Sequence, residues 1–332
     1  MFVPSSWTSC PYRRNSSPVE VQVNVTGATG PGSLGIGDLA ALTGVPVRTI
    51  RFYCDEGILE PARSAGGHRR FDAPAVDRLR LVRRLRGLGL GLPAIAAVLA
   101  GERSLGEAVA AERAALEAEM SALAWRRAAL GAVEAAPLEE RAARLDLLAA
   151  AEDGRAARTA LAEFWLRRIM APLPAERVEA FLEMVVPPPP ADPTPAQVVA
   201  YAEMVVLAGD RSLNRRLREQ GRSNLRVVAD EESLLAGMSE AMELASPLVL
   251  AGEAPGPGAA LDRFVAAHVA GRRASDTPEF RRWILRDSAV ERDARVARYW
   301  DLFRLVTGDP VVLGTLHFWL LDALEDSVDL VV

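Results

Sequence analysis

Apolar residues fall at helical spacing along most of the chain from residue 34 onward, and alternating runs are few. The first helix carries its apolar face on Ile36, Leu39, Ala40 and Leu42. Gly44 supplies the turn, since glycine alone takes positive φ without penalty. Pro46 opens a second helix in which Ile50, Tyr53 and Cys54 face inward, with Arg48, Thr49 and Phe52 on the opposite side. Ile58 and Leu59 lead into a hairpin with Gly66-Gly67 at its tip and His68, Arg69, Arg70 and Phe71 on its return strand. A third helix spans 73–86 with Leu79, Val82 and Leu85 buried, and Pro93 opens a fourth that runs to Leu99.

A long helix is predicted over 104–133. Ser104 and Glu107 form a capping-box signature at its start. Val109, Leu116, Leu123 and Leu130 recur every seven residues, beside a column at Ala108, Ala115, Ala122 and Ala129. A leucine column flanked by alanines lets two helices approach closely. The partner is either a second copy of the chain or the chain's own carboxy-terminal part.

Beyond Pro137 the pattern predicts further amphipathic helices over 138–151, 155–170, 174–185, 195–207, 212–220, 233–244, 258–270, 278–305 (with a possible break) and 310–324. The proline-rich segment 187–195 reads as a stiff extended linker and 245–258 as a loop. Met204–Asp210 and Phe303–Asp309 form a faint echo, each placing a Gly-Asp pair between helices, as chance readily does. The fold class is mainly α. The expected division is a disordered arm at 1–32, a winged helix-turn-helix at 33–102, a long helix open to dimerisation at 103–136 and an all-helical domain at 137–332.

Charge sharpens this division. The whole chain carries −5, but the segment 34–90 holds ten arginines against six acids. A nucleic-acid surface would therefore be confined to the amino-terminal end. The chain contains no lysine. Every basic contact is a planar guanidinium suited to phosphates and guanine edges. With 50% apolar and 25% charged residues the composition is that of a soluble globular protein. No stretch is long enough to span a bilayer, and residues 1–32 lack the apolar core of a signal peptide, so the expected location is cytoplasmic.

The combination IGDLAALTGV (Ile36–Val45), VRTIRFY (Val47–Tyr53), GILEPAR (Gly57–Arg63) and GGHRRF (Gly66–Phe71), followed by the basic helix from Arg78 to Leu99, resembles the amino-terminal domain of the MerR family of transcription regulators. The resemblance implies a homodimer on double-stranded promoter DNA, with an inverted-repeat operator and action together with RNA polymerase by bending and untwisting an over-long spacer. It implies DNA contacts from Val47, Arg48, Thr49, Arg51 and Phe52 on the second helix and from His68, Arg69 and Arg70 on the wing. Arg86 is added as a phosphate contact from its place beside the reading helix. Most relatives carry an aromatic residue at the position of His68. In the family the long helix pairs antiparallel with its copy, which assigns Val109, Leu116, Leu123 and Leu130 to the dimer seam. A helix followed by a Gly-Asp turn is also similar to the TipAS drug-sensing domain of some relatives.

Other chemistry is sparse. The two cysteines and three histidines show no metal-ligand spacing, so no cofactor or metal is expected, and the family's metal-sensor cysteines are missing. Adjacent acids such as Glu139-Glu140 read as surface charge, and no nucleophile–base grouping points to an enzyme. The aromatic residues of the carboxy-terminal part read mainly as core. A cavity for a small apolar ligand is the functional alternative, with Trp283, Tyr299, Trp300 and His317 as its candidate wall. Against this stand a ligand-independent regulator whose helical domain binds a protein, and an enzyme fused to a DNA-binding head.

Overall fold

The computed structural model describes residues 33–64, 67–167 and 174–329, and these divide into two compact units between Met120 and Ser121. The expected arm at 1–32, the hairpin residue Gly66 and the helix end at Met170 lie outside the described residues.

The amino-terminal unit contains β1 (Leu34–Gly35), α1 (Ile36–Thr43), α2 (Val47–Asp55), β2 (Ala62–Arg63), β3 (Arg69–Phe71), α3 (Pro74–Gly87), α4 (Leu92–Leu99) and the first part of α5 (Leu105–Glu134). The hairpin is the antiparallel pair β2–β3. β1, which the pattern did not reveal, adds to the other side of β3 with Leu34 opposite Phe71. A two-residue strand is too short to show alternation. Gly44 adopts φ +68° and its N–H closes α1 on the Ala40 carbonyl. Leu39, Ile50, Leu59, Phe71 and Leu79 form one core cluster, and Ile58, Val82, Leu85, Leu90 and Ile95 a second.

Leu42 does not belong to the inner face of α1; it is exposed, and Thr43 is buried instead. Leu39 and Thr43 lie one turn apart and take the inward line of this eight-residue helix. The Thr43 hydroxyl is satisfied by donating to the Leu39 carbonyl at 2.7 Å. The capping box at the start of α5 forms as expected: Glu107 Oε2 accepts from Ser104 N at 2.8 Å, and Ser104 Oγ accepts from Glu107 N at 3.1 Å.

The carboxy-terminal unit comprises the rest of α5 followed by α6 (Arg141–Leu148), α7 (Gly154–Leu166), α8 (Ala175–Val185), α9 (Pro195–Gly209), α10 (Arg211–Val227), α11 (Glu231–Leu250), α12 (Ala259–Arg272), α13 (Pro278–Asp287), α14 (Ala294–Thr307) and α15 (Leu313–Asp329). Short 3-10 turns flank α6 and follow α13. α9 runs through one core, where Val198, Tyr201 and Met204 meet Trp125, Leu161, Trp165 and Trp300. α11, α12, α13 and α15 enclose the other, around Ala241, Phe264, Ile284, Leu320 and Leu324.

Several expected boundaries move. The segment 187–195 is a packed connection rather than a free linker: Pro187 and Pro193 are buried, and the Pro187 carbonyl accepts from Tyr201 Oη at 2.6 Å. α11 continues through Pro247 to Leu250, which shortens the expected loop at 245–258. Pro247 is on the exposed side of the helix. α10 extends to Val227, and the span 278–305 is broken between Asp287 and Ala294. The Gly-Asp echo is not structural. Asp210 caps α10 by accepting from Ser212 N and Leu213 N, whereas Asp309 precedes α15 by four residues.

Candidate nucleic-acid interface

α2 is anchored by Ile50, which is fully buried, so the residues around it must face outward. Arg48, Arg51 and Phe52 are exposed, while Val47 and Thr49 are half-buried at the amino-terminal turn. The Pro46 carbonyl accepts from Thr49 N at 2.9 Å and Ile50 N at 3.0 Å, which fixes that turn without using a side chain. Cys54 packs against the head core as expected, and burial pushes its thiol pKa up.

The wing is held by its own short turn. Ser64 N donates to the His68 carbonyl at 2.9 Å, Gly67 N to the Ser64 carbonyl at 2.8 Å, and His68 N to Ser64 Oγ at 3.2 Å. An ion pair joins wing to helix: Arg69 Nη2 lies 2.8 Å from Asp55 Oδ1. Together α2, the wing and the start of α1 border an open groove of about 690 Å³, lined by Arg51, Asp55, His68, Arg69 and Arg70 among others.

The arginines separate into two groups. Arg83 Nη1 donates to the Thr43 carbonyl at 2.8 Å and so closes the end of α1. Arg86 Nη1 donates to the Leu90 carbonyl at 2.8 Å but remains exposed, with further donors to spare. Arg80 pairs with Asp77 on its own helix. Arg48, Arg51, Arg63, Arg70, Arg78 and Arg84 make no salt bridge among the described residues. Arg63, exposed on β2, is a basic candidate that the sequence reading left out of its site; its place on the outgoing strand of the hairpin was the available signal.

Residues 34–102 match the family model described as MerR HTH family regulatory protein. The head belongs to the MerR family. Among curated relatives of this MerR-type head, the nodulation protein NolA of Bradyrhizobium sp. (strain NC92) is 42% identical over 71 residues, 21% of this chain and 30% of the relative. The HTH-type transcriptional regulator HmrR of Rhizobium leguminosarum bv. viciae is 39% identical over 59 residues, 18% and 46% of the two chains. The HTH-type transcriptional activator TipA of Streptomyces coelicolor is 43% identical over 68 residues, 20% and 27%. The chain thus spans less than half the length of each of these relatives, and no solved structure matches it.

On α5, the long helix that follows the MerR-type head, the heptad residues Val109, Leu116, Leu123 and Leu130 are all exposed, Leu130 by 63%. The carboxy-terminal core takes Trp125, Ala128 and Ala132 from α5 instead. The indole N–H of Trp125 donates to the Ala151 carbonyl at 3.1 Å.

The four residues expected to line one apolar cavity are not brought together. Tyr299 and Trp300 sit in the α9 core. Tyr299 Oη accepts from Trp165 Nε1 at 2.9 Å and donates to the Val185 carbonyl at 2.6 Å. The space beside Trp165 and Tyr299 amounts to about 10 Å³, room for one water. Trp283 instead packs against the second core, stacked on Phe280 at 5.8 Å, and His317 Nε2 is 2.5 Å from Glu291 Oε2. A pair of core aromatics and a pair beside polar groups look alike in sequence. Among the described residues no helix is long and apolar enough to cross a membrane, and no group of three or more potential ligands gathers for a metal.

Proposed function

We propose that the chain is a homodimeric, sequence-specific transcription regulator that acts on promoter DNA in the cytoplasm. The observation that carries this reading is the basic groove shared by α2 and the wing, with arginines on both of its sides that make no salt bridge among the described residues. α2 enters a major groove with Arg48 and Thr49 nearest the base edges, and Val47, Arg51 and Phe52 flank them. His68, Arg70 and Arg86 meet the phosphates, and so does Arg69 once it exchanges Asp55 for a phosphate.

The exposed stripe of Val109, Leu116, Leu123 and Leu130 pairs with its copy, because an uncovered heptad of large apolar residues gains most from a second such helix. Twofold pairing then calls for an inverted-repeat operator, and bending of the promoter would let RNA polymerase engage it. The carboxy-terminal helices serve as the effector domain. Footprinting of the full chain on its own upstream region tests the reading. A protected inverted repeat is the expected result, and no protection at about 50 mM salt, where phosphate contacts are strong, overturns it.

A further inference from the structure

The segment 137–332 holds 31 acids against 23 arginines, yet α10 within it carries six arginines and a single acid, Glu219. Arg211, Arg215, Arg218, Arg222 and Arg226 recur at spacings of three and four, so they share one face of the helix. All five are exposed, with Glu219 at the edge of the stripe. Leu213, Asn214 and Leu217 are buried on the other side.

That inner side holds the helix firmly. Asn214 Nδ2 donates to the Ala208 carbonyl at 2.7 Å, and Gln220 Nε2 donates to the Asp287 carbonyl at 2.9 Å and to Glu291 Oε1 at 2.6 Å. The acids at the start of the helix are already engaged. Asp210 caps it and lies 2.9 Å from Arg295, and Asp293 pairs with Arg216, which stands off the stripe, and with Arg295. None of the five stripe arginines makes a salt bridge among the described residues. Like charges three and four residues apart weaken a helix, and their exposure brings no packing in return. A row of anions would remove that repulsion.

The shape of the stripe narrows the choice of anion. From Arg211 to Arg226 it runs about 22 Å, a length over which one strand of a duplex presents about six phosphates. A protein partner would want an apolar anchor among the charges, because interface cores are depleted of charged residues. The stripe offers none between Arg211 and Arg222; the exposed Leu225 stands at its far end. A membrane would want the apolar face of the helix, and that face is spent on the core. Phosphate binding needs only fixed, solvent-facing cations.

We propose that α10 is a second DNA surface, on which Arg211, Arg215, Arg218, Arg222 and Arg226 grip the sugar-phosphate backbone of a duplex without reading its sequence. The choice of duplex rests on the reading of the chain as a regulator that binds DNA through its head.

The test uses the full-length protein and a 40-bp duplex of scrambled sequence, followed by anisotropy from about 50 to 200 mM salt. R211Q/R215Q/R222Q is expected to bind about tenfold more weakly at the low-salt end and to flatten the salt slope by about 2 to 3, as the loss of three phosphate contacts requires. R155Q/R177Q/R304Q removes the same charge from exposed arginines elsewhere in the unit and should leave the slope near its wild-type value. R211K/R215K/R222K should restore binding, since lysine serves phosphate as a point charge. A stripe variant that matches wild type, a control that loses as much as the stripe, or lysines that fail to restore binding would overturn the proposal. So would a stripe variant that loses poly-glutamate but keeps duplex, which assigns the face to acidic protein, or one that changes oligomeric state, which assigns it to a second copy. Operator footprinting is scored separately. Protection of the operator by a chain whose stripe variant binds like wild type sinks the second surface alone. Stripe-dependent duplex binding without operator protection sinks the regulator reading instead.

Discussion

Arg69 Nη2 sits 2.8 Å from Asp55 Oδ1, so an ion pair ties the wing to the last residue of α2. Asp55 is well exposed, and a surface pair of this kind contributes at most about 1 kcal/mol. Its consequence lies in the charge it ties up at the groove. D55N should barely change the melting temperature of the head. It should raise affinity for operator and non-specific DNA alike and steepen the salt dependence by about one phosphate contact. Anisotropy titrations across a salt series measure both quantities.

Arg48 and Arg84 are both exposed and both without an ion pair among the described residues, yet their places differ. R48A, at the amino-terminal turn of α2, is expected to cost about 1–3 kcal/mol on the cognate operator and to narrow the gap to scrambled DNA. R84A, on α3, should weaken both sequences equally. Competition titrations with the two DNAs separate the outcomes.

Leu116 and Leu123 face solvent from α5, so a charge there disturbs no core of the single chain. L116E/L123E is expected to sediment as a monomer with an unchanged helical spectrum and to lose operator binding about a hundredfold or more, since one half-site replaces two. A double variant that remains dimeric in analytical ultracentrifugation would place the seam elsewhere.

Gly314 packs so closely on Trp300 that an added Cβ would lie 2.1 Å from the indole. G314A should destabilise the carboxy-terminal unit by about 3 kcal/mol or prevent its folding, as overpacking does where neither side can yield. Denaturant melts followed by tryptophan fluorescence would show this as an earlier transition.

Burial, reinforced by the neighbouring charge of Arg272, holds the His268 imidazole down to a pKa of about 3, from an ordinary value of 6.5. The unfolded chain therefore binds a proton below pH 6.5 that the folded chain does not accept until about pH 3. From this histidine the protein has full stability above pH 6.5 and loses about 1.4 kcal/mol per pH unit as the pH falls through that window. Thermal melts at pH 7 and pH 5 should differ accordingly, and H268F should reduce the difference.

Much of the head was legible because its signals are local. The αL turn at Gly44, the proline before α2 and Gly67 of the wing each constrain the backbone within a few residues, and the structure meets those expectations. Leu42 was misplaced because a short helix with several apolar residues admits more than one inward line, and packing on α3 chose among them. The proline-rich stretch 187–195 reads as a spacer from composition. It became a packed connection because Tyr201, fourteen residues on from Pro187, found that carbonyl as its hydrogen-bond partner.

The sequence by itself determined the helical class, the kind of head and the heptad stripe on α5, all of which depend on spacing along the backbone. Only the tertiary structure decided which arginines are spent on the fold and which stay free. Arg83 reaches the Thr43 carbonyl across forty residues, and no local pattern encodes that distance. The same holds for the donors of His268 and Arg272. Among the described residues His268 Nε2 and Arg272 Nε have no hydrogen-bond partner because of how the surrounding helices pack, and a linear sequence does not state which groups will meet in the interior.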